Sequence, residues 1–283
     1  MGLILSIIAS ILYGINPSFV SIVLDSGVAT TDVSIICSSL ICLIAFIVCK
    51  ICKVDLKMSN QYIVPIIACG VCFVFTNLLL SLAYTHIPVG FATMFHFTYP
   101  SIVFLVCVFV YKEIATIIKI AATILTLIGL YMISGSSNAV DVTGVIAALA
   151  SAFCYGFYMI ISEKSRIVHC PSQKFTFYVA LIGAITASAI RLLSPVGLSS
   201  SFALAFKPLN FFLLLLSALM LFGANFCLNK GIKLLGANKA ASFTVVEPLT
   251  SMLFSTMLFH YDISTTCIIG CGLILLSLYL ASK

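Results

Sequence analysis

Apolar stretches of about 20 residues follow one another along the chain, parted by short joints that hold most of the charged residues. They cover roughly 3–24, 31–49, 62–84, 89–111, 116–134, 142–162, 174–193, 209–229, 237–259 and 264–281. Each is long enough to cross a hydrocarbon core of about 30 Å as a helix. Backbone groups in hydrocarbon must pair within the segment, so helices are the expected form. The short alternating segments of a transmembrane barrel are absent. The pattern predicts an all-α membrane protein with ten transmembrane helices.

Charge sets the expected orientation. When ten spans are threaded alternately, one set of joints and ends holds Lys50, Lys53, Lys57, Lys112, Lys119, Lys164, Arg166, Lys174, Lys230, Lys233, Lys239 and Lys283. The other set holds Arg191 and Lys207 with Asp25, Asp32, Asp141 and Asp262. A bias of twelve against two predicts that the basic side, with both termini, is cytoplasmic.

Composition agrees. Apolar residues make up 62% of the 283 and charged residues 8%, against about 45–50% and about 25% in soluble domains. The net charge of +6 sits in short joints rather than on one basic face, which speaks against nucleic acid as a partner. Met1-Gly2-Leu3-Ile4 has no basic region before it and no small-residue cleavage site after it, so the first apolar stretch is expected to be retained as a helix. Most of the twelve cysteines fall inside apolar runs. Cys49-x-x-Cys52 and Cys69-x-x-Cys72 lie at depths differing by roughly 10 Å along their helices, so no tetrahedral metal site is expected from them.

The two halves match at a fixed offset. Asn77 and Asn225, Ala92 and Ala240, Phe95 and Phe243, and Pro100 and Pro248 are each 148 residues apart. Tyr13-Gly14 and Tyr155-Gly156 are 142 apart, which leaves about six inserted residues, for which the stretch from Pro195 to Pro208 is the natural place. The expected repeats are 1–135 and 136–283, with five helices each. An odd number per repeat would insert the second copy upside down, and inverted repeats usually place a substrate site near the bilayer midplane at their interface.

The chain resembles the EamA-type members of the drug/metabolite transporter superfamily over nearly its whole length. The resemblance rests on Tyr13-Gly14-Ile15-Asn16, on Ala83-Tyr84 through Pro100, and above all on Glu247-Pro248 in the ninth span. The family usually ends its fourth and ninth helices with Gly-Glu, where this chain has Lys112-Glu113 and Tyr261-Asp262. The resemblance implies a ten-helix bundle with the first, third, fourth, sixth, eighth and ninth helices around a central cavity. It also implies secondary transport, commonly export of amino acids or other metabolites, from a multi-pass protein of the cell membrane.

Glu247 is the one formally charged side chain in the middle of a span. A central charge costs about 2.5–3.5 kcal/mol on insertion scales, so an ionisable group there is a functional candidate. The plainer reading is a carboxylic acid bonded to a neighbouring helix. At the 148-residue offset His96 and Tyr99 stand where Thr244 and Glu247 stand in the second half. Each pair, three apart, shares a helix face. A carboxylate rimmed by His96, Tyr99, Phe95 and Phe243 would suit an ammonium group, by charge and by cation–π contact. Asn16, Asn77, Asn225, Tyr155, Thr76, Ser151 and Asn229 are polar groups that could bind a zwitterion's carboxylate or bridge helices. Pro17, Pro100 and Pro248 are expected helix breaks, with Pro100 and Pro248 freeing the carbonyls of His96 and Thr244. His86, His169 and His260 lie at joint edges and are expected to be solvated.

No G-x-x-x-x-G-K-[ST] or H-E-x-x-H motif occurs, which argues against a nucleotide-driven pump or a metalloprotease. No enzyme activity, cofactor or metal is expected. The expected partners are the lipid bilayer and a small-molecule substrate (amino acid, amine or metabolite). Protons and, as a homodimer, a second copy of the chain are also open. A multidrug exporter of organic cations is the main alternative. A non-transporting membrane scaffold is a distant one, and it predicts a packed bundle without a cavity.

Reporter fusions after Lys57 and after Lys283 should both report the cytoplasm, and one after Asp141 the outside. An external signal at the C-terminus would show that the ten-span threading is wrong.

Overall fold

The computed structural model describes residues 1–112, 114, 116–134, 141–193, 200–244, 246–259 and 264–281. Glu113, Pro195, His260, Tyr261, Asp262, Ser282 and Lys283 lie outside the described residues. The first half comprises α1 (Gly2–Asp25), α2 (Thr30–Ile51), α3 (Asn60–Tyr84), α4 (Val89–His96), α5 (Tyr99–Phe109) and α6 (Ile117–Ser134). The second comprises α7 (Val142–Lys164), a 3-10 turn at Arg166–His169, α8 (Ser172–Leu193), α9 (Ser200–Ala205), α10 (Pro208–Leu235), α11 (Ala237–Phe243), α12 (Val246–Phe259) and α13 (Thr265–Ala281).

Among the described residues, eight helical segments are long and apolar enough to cross a membrane, with α4–α5 and most of α11–α12 each counted as one. Two shorter apolar stretches, Ile120–Gly129 and Ile268–Ser277, lie in α6 and α13. Large apolar side chains such as Leu43, Ile47, Phe153, Leu253 and Met257 face outward, whereas Ser10, Asn16, Ser151, Ser217, Asn225 and Glu247 are buried. Polar groups turned inward and apolar groups turned outward suit a surrounding solvent of lipid.

Exchanging the halves maps each major helix pairing onto another. α1 packs on α10 as α7 packs on α3, and α1 meets α12 as α7 meets α5. α2 pairs with its own counterpart α8, and α6 with α13. α6 and α13 hold chiefly each other and touch the rest of the bundle more lightly, at α4, α11 and α12 among other points. The Thr126 and Ser277 hydroxyls join the pair at 2.8 Å.

The two sets of charged joints gather at opposite ends. At the basic end, the Lys174 ammonium donates to the Lys57 carbonyl at 2.5 Å and the Lys233 ammonium to that of Cys170. The Lys164 ammonium lies 5.2 Å from the ring centre of Tyr111. Gly236 makes the turn from α10 to α11 at φ 84, a backbone conformation that suits glycine. At the other end Asp141 caps α7, accepting from the Thr143 amide at 2.8 Å and pairing with His86 at 2.6 Å. Those bonds, the Thr143 amide first, hold the Asp141 carboxyl below the usual carboxylate range. His86 is therefore paired with Asp141 rather than simply solvated.

The proline expectations need two corrections. α1 continues through Pro17 without interruption, because its packing against α10 and α12 holds the helix on both sides of the lost donor. Around the other two prolines the helices do break, at Phe97–Thr98 and at Thr244. Pro100 and Pro248 sit in the first turns of α5 and α12, where a missing amide hydrogen forfeits no helical bond. The Thr244 carbonyl is not left open, since it accepts the Glu247 amide at 3.1 Å.

Asp32 and Arg191, counted above as joint residues, are buried within α2 and α8, with 0% and 4% of their surface exposed. Arg191 Nε donates to Asp32 Oδ1 at 2.8 Å, and Ser201 Oγ donates to Asp32 Oδ2 at 2.7 Å. The pair ties α2 to its counterpart α8 and to α9. Removing one partner leaves a buried charge, at a cost of about 3–5 kcal/mol. Arg191→Leu should therefore lower the unfolding temperature in detergent sharply, and Asp32→Leu/Arg191→Leu should recover much of the loss. A loss in the double variant equal to the sum of the losses in Asp32→Leu and Arg191→Leu would show that the pair contributes no coupling.

Candidate functional site

Between α1, α3, α4, α7, α10 and α12 lies a narrow cavity of about 50 Å³. These helices belong to the first, third, fourth, sixth, eighth and ninth apolar stretches of the sequence. A second lobe of about 20 Å³ shares Asn16, Asn77, Ser81 and Leu221 with the first and extends along α2 to Val33 and Ser34. The cavity thus leads from Glu247 toward the end that carries Asp32 and Arg191.

Of the residues singled out from sequence, Glu247, His96, Asn16, Asn77 and Tyr155 all line this cavity, as do Thr76 and Pro17. Glu247 opens α12 just past the helix break and is 5% exposed, and its Oε2 has no hydrogen-bond partner. His96 closes α4 at the paired break, with its Nδ1 2.7 Å from Ser151 Oγ. Its ring lies 5.4 Å from that of Tyr99 and 5.3 Å from that of Tyr155.

Tyr99, Thr244 and Asn225 stand behind the lining rather than on it. The Thr244 hydroxyl donates to the Ala241 carbonyl at 2.8 Å, so the Tyr99 hydroxyl donates to Thr244. That bond joins the two broken segments. Asn225 Oδ1 accepts from the hydroxyls of Tyr13 at 2.9 Å and Tyr158 at 3.3 Å, while its amide donates to the Leu221 carbonyl at 2.8 Å. It bridges α1, α7 and α10. Phe95 packs against Ala147 and Ala148, and Phe243 is not among the lining residues.

Sequence reasoning singled out Tyr99 and Tyr155 as site candidates but not three other tyrosines. Tyr13 and Tyr84 line the cavity, and Tyr158 holds Asn225 and Asn229 behind it. A tyrosine in an apolar span carries a hydroxyl that needs a partner, and that signal was available at all three positions. Among the described residues, no three His, Cys, Asp or Glu side chains converge as a metal site would require.

The model of the EamA-like transporter family matches residues 1–135 and again residues 142–283. The chain belongs to the EamA-like transporter family. Uncharacterized transporter sll1319 of Synechocystis sp. is 26% identical over 219 residues, covering 75% of this chain and 64% of that protein. Uncharacterized transporter YwfM of Bacillus subtilis is 28% identical over 170 residues, 57% of this chain and 53% of that one. The chain thus spans less than two thirds of the length of either relative. A solved crystal structure aligns over 99% of this chain and 96% of its own with a TM-score of 0.70 at 16% identity, which shows a shared fold. This EamA-family chain is a multi-pass integral membrane protein.

The repeat is visible at the site of this EamA-family protein. A Cβ placed on Gly14 of α1 would lie 2.6 Å from the Glu247 carbonyl oxygen and 2.7 Å from Thr250 Cβ. Its counterpart Gly156 on α7 faces the carbonyl of Tyr99, the counterpart of Glu247, at 3.7 Å, and Ile102 Cγ2 at 3.3 Å. Glycine lets each helix lie against the backbone at the start of the paired half-helix, more tightly in the first case. Gly14→Ala should overpack the contact, destabilise by about 1–3 kcal/mol and impair function. Gly156→Ala should stay within about 1 kcal/mol, since helix propensity offsets a smaller clash. Thermal unfolding of the two variants tests this, and equal effects would contradict the asymmetry.

Proposed function

We propose that this EamA-family protein is a secondary active transporter. In this reading it exports amino acids or related small metabolites bearing an ammonium group, in exchange for protons, through the central cavity. The carrying observation is Glu247, a buried carboxyl group with an unpartnered oxygen at the cavity wall. A carboxyl group in such surroundings is stable when protonated, or when charged with a cation beside it. Proton and substrate can then alternate on the same oxygen atoms.

The reading includes ten transmembrane helices, with α6 and α13 as the fifth and tenth. The repeats are inverted and both termini face the cytoplasm. It is supported by the exchange of helix pairings between halves and by the gathering of basic joints at one end. Under this orientation the cavity leads toward the outside. A multidrug exporter of organic cations is the second reading, favoured by the aromatic rings of Tyr13, Tyr84 and Tyr155 around a lone carboxyl group. The cavity itself weighs against a non-transporting scaffold.

Vesicles containing the protein should show substrate flux that rises with an imposed proton gradient and collapses with a protonophore. Glu247→Gln, nearly isosteric but unable to ionise, should fold and lose gradient-driven flux. Retention of wild-type flux by that variant would leave Glu247 a structural group and overturn the coupling.

A further inference from the structure

The bonds around His96 determine what that residue offers a ligand. The Ser151 hydroxyl has a single hydrogen, which it donates to the Ala148 carbonyl at 2.6 Å. The 2.7 Å contact between Ser151 Oγ and His96 Nδ1 must then run the other way, with the ring N–H donating. A neutral imidazole protonated at Nδ1 keeps a lone pair on Nε2 and acts there as an acceptor. His96 lines the cavity and is 3% exposed.

Two neighbouring polar groups have donors turned back to their own helix. Thr76 Oγ1 donates to the Cys72 carbonyl at 2.8 Å, and Asn77 Nδ2 to that of Phe73 at 2.8 Å. Their remaining capacity is the Thr76 lone pairs and Asn77 Oδ1 as acceptors, and the second N–H of Asn77 Nδ2 as an uncharged donor. Glu247 adds a carboxyl group whose Oε2 has no partner. Among the described residues of the lining there is no lysine or arginine. The donors that remain are uncharged: the Tyr84 and Tyr155 hydroxyls, which have no partner, the Ser81 hydroxyl, the second Asn77 N–H, and Asn16 Nδ2, whose Oδ1 is taken by Ser217.

We infer that the cavity selects small protonated amines that carry at least two N–H groups and no carboxylate, with His96 Nε2 as the specificity-determining acceptor beside Glu247. This rests on the transport reading above and narrows its substrate to the amine metabolites, setting free amino acids aside. A primary ammonium satisfies Glu247 and His96 together. A quaternary ammonium keeps the charge but has no N–H, so it leaves the buried acceptor unpaired, which is costly. A free amino acid brings a carboxylate that would meet only neutral donors. Ser151 is a positioning residue, because it holds the ring in the tautomer that accepts.

The test uses the intact protein in lipid nanodiscs with four probes of one carbon skeleton: isoamylamine, its N,N,N-trimethyl derivative, leucinamide and leucine. Isothermal titration should show isoamylamine and leucinamide binding at least about tenfold tighter than the other two, the scale of one hydrogen bond to a charged group. His96→Phe should abolish the advantage over the trimethyl derivative and keep the advantage over leucine. Ser151→Ala should reduce the first ratio while leaving binding of the trimethyl derivative unchanged. Equal or tighter binding of leucine or of the trimethyl compound by the unaltered protein overturns the inference, as does an unchanged ratio in His96→Phe. Gradient-driven leucine flux without any amine preference would overturn this inference alone. Selective amine binding without gradient-driven flux of any probe would overturn the transport reading alone.

Discussion

A polar group in hydrocarbon has no water to turn to, so it must be satisfied inside the protein or bear the cost of being left open. In this chain most interior hydroxyls and amides obey that constraint; among the described residues some exceptions, such as Ser6, Ser18 and Thr176, are scattered, and three share one cavity. Serines and threonines bond back to carbonyls one turn earlier, as Ser10 does to Ser6 at 2.7 Å and Thr93 to Val89 at 2.9 Å. Asn225 of α10 ties three helices together, its side-chain oxygen accepting from Tyr13 of α1 and Tyr158 of α7. The open groups of Glu247, Tyr84 and Tyr155 face one cavity. Their grouping there, more than the bare size of the space, makes it a site.

Two copies of one plan produce this arrangement, and the site lies where they differ. The glycines at 14 and 156 and the helix breaks near 97 and 244 follow the repeat. The residues just past the breaks do not. One half places a carboxyl group there and the other a tyrosine. One half closes its short helix with histidine and the other follows its own with threonine. The Tyr99–Thr244 bond joins the copies back to back, while Glu247 and His96 turn toward the space between them. A duplicated scaffold thus supports an asymmetric charge.

The membrane class, the repeat and the isolated buried charge of Glu247 were legible in the sequence because each rests on a local quantity: run length, residue offset, or one charge in an apolar stretch. The depth of Asp32 and Arg191 was not. Each stands at the end of an apolar run, and only the packing of α2 against α8 and α9 turns two terminal charges into a buried pair. The prolines misled for a related reason. A proline removes a donor wherever it stands, but whether a helix breaks, starts afresh or runs on depends on its neighbours, as Pro17 in α1 shows. The ring tautomer of His96 was beyond reach, since it depends on a serine 55 residues away.

The light contact between the α6–α13 pair and the other helices has a mechanical consequence. Rearranging the bundle around the cavity need disturb few of the contacts that hold α6 to α13. The two helices can stay put in the lipid as a fixed post while the remaining helices rock beside them. Chain connectivity then becomes the main drive shaft, because α5 and α12, which begin at the helix breaks, each lead directly into a member of that post. Movement at the cavity would be felt there as a pull on two linkers, arriving from opposite halves of the molecule.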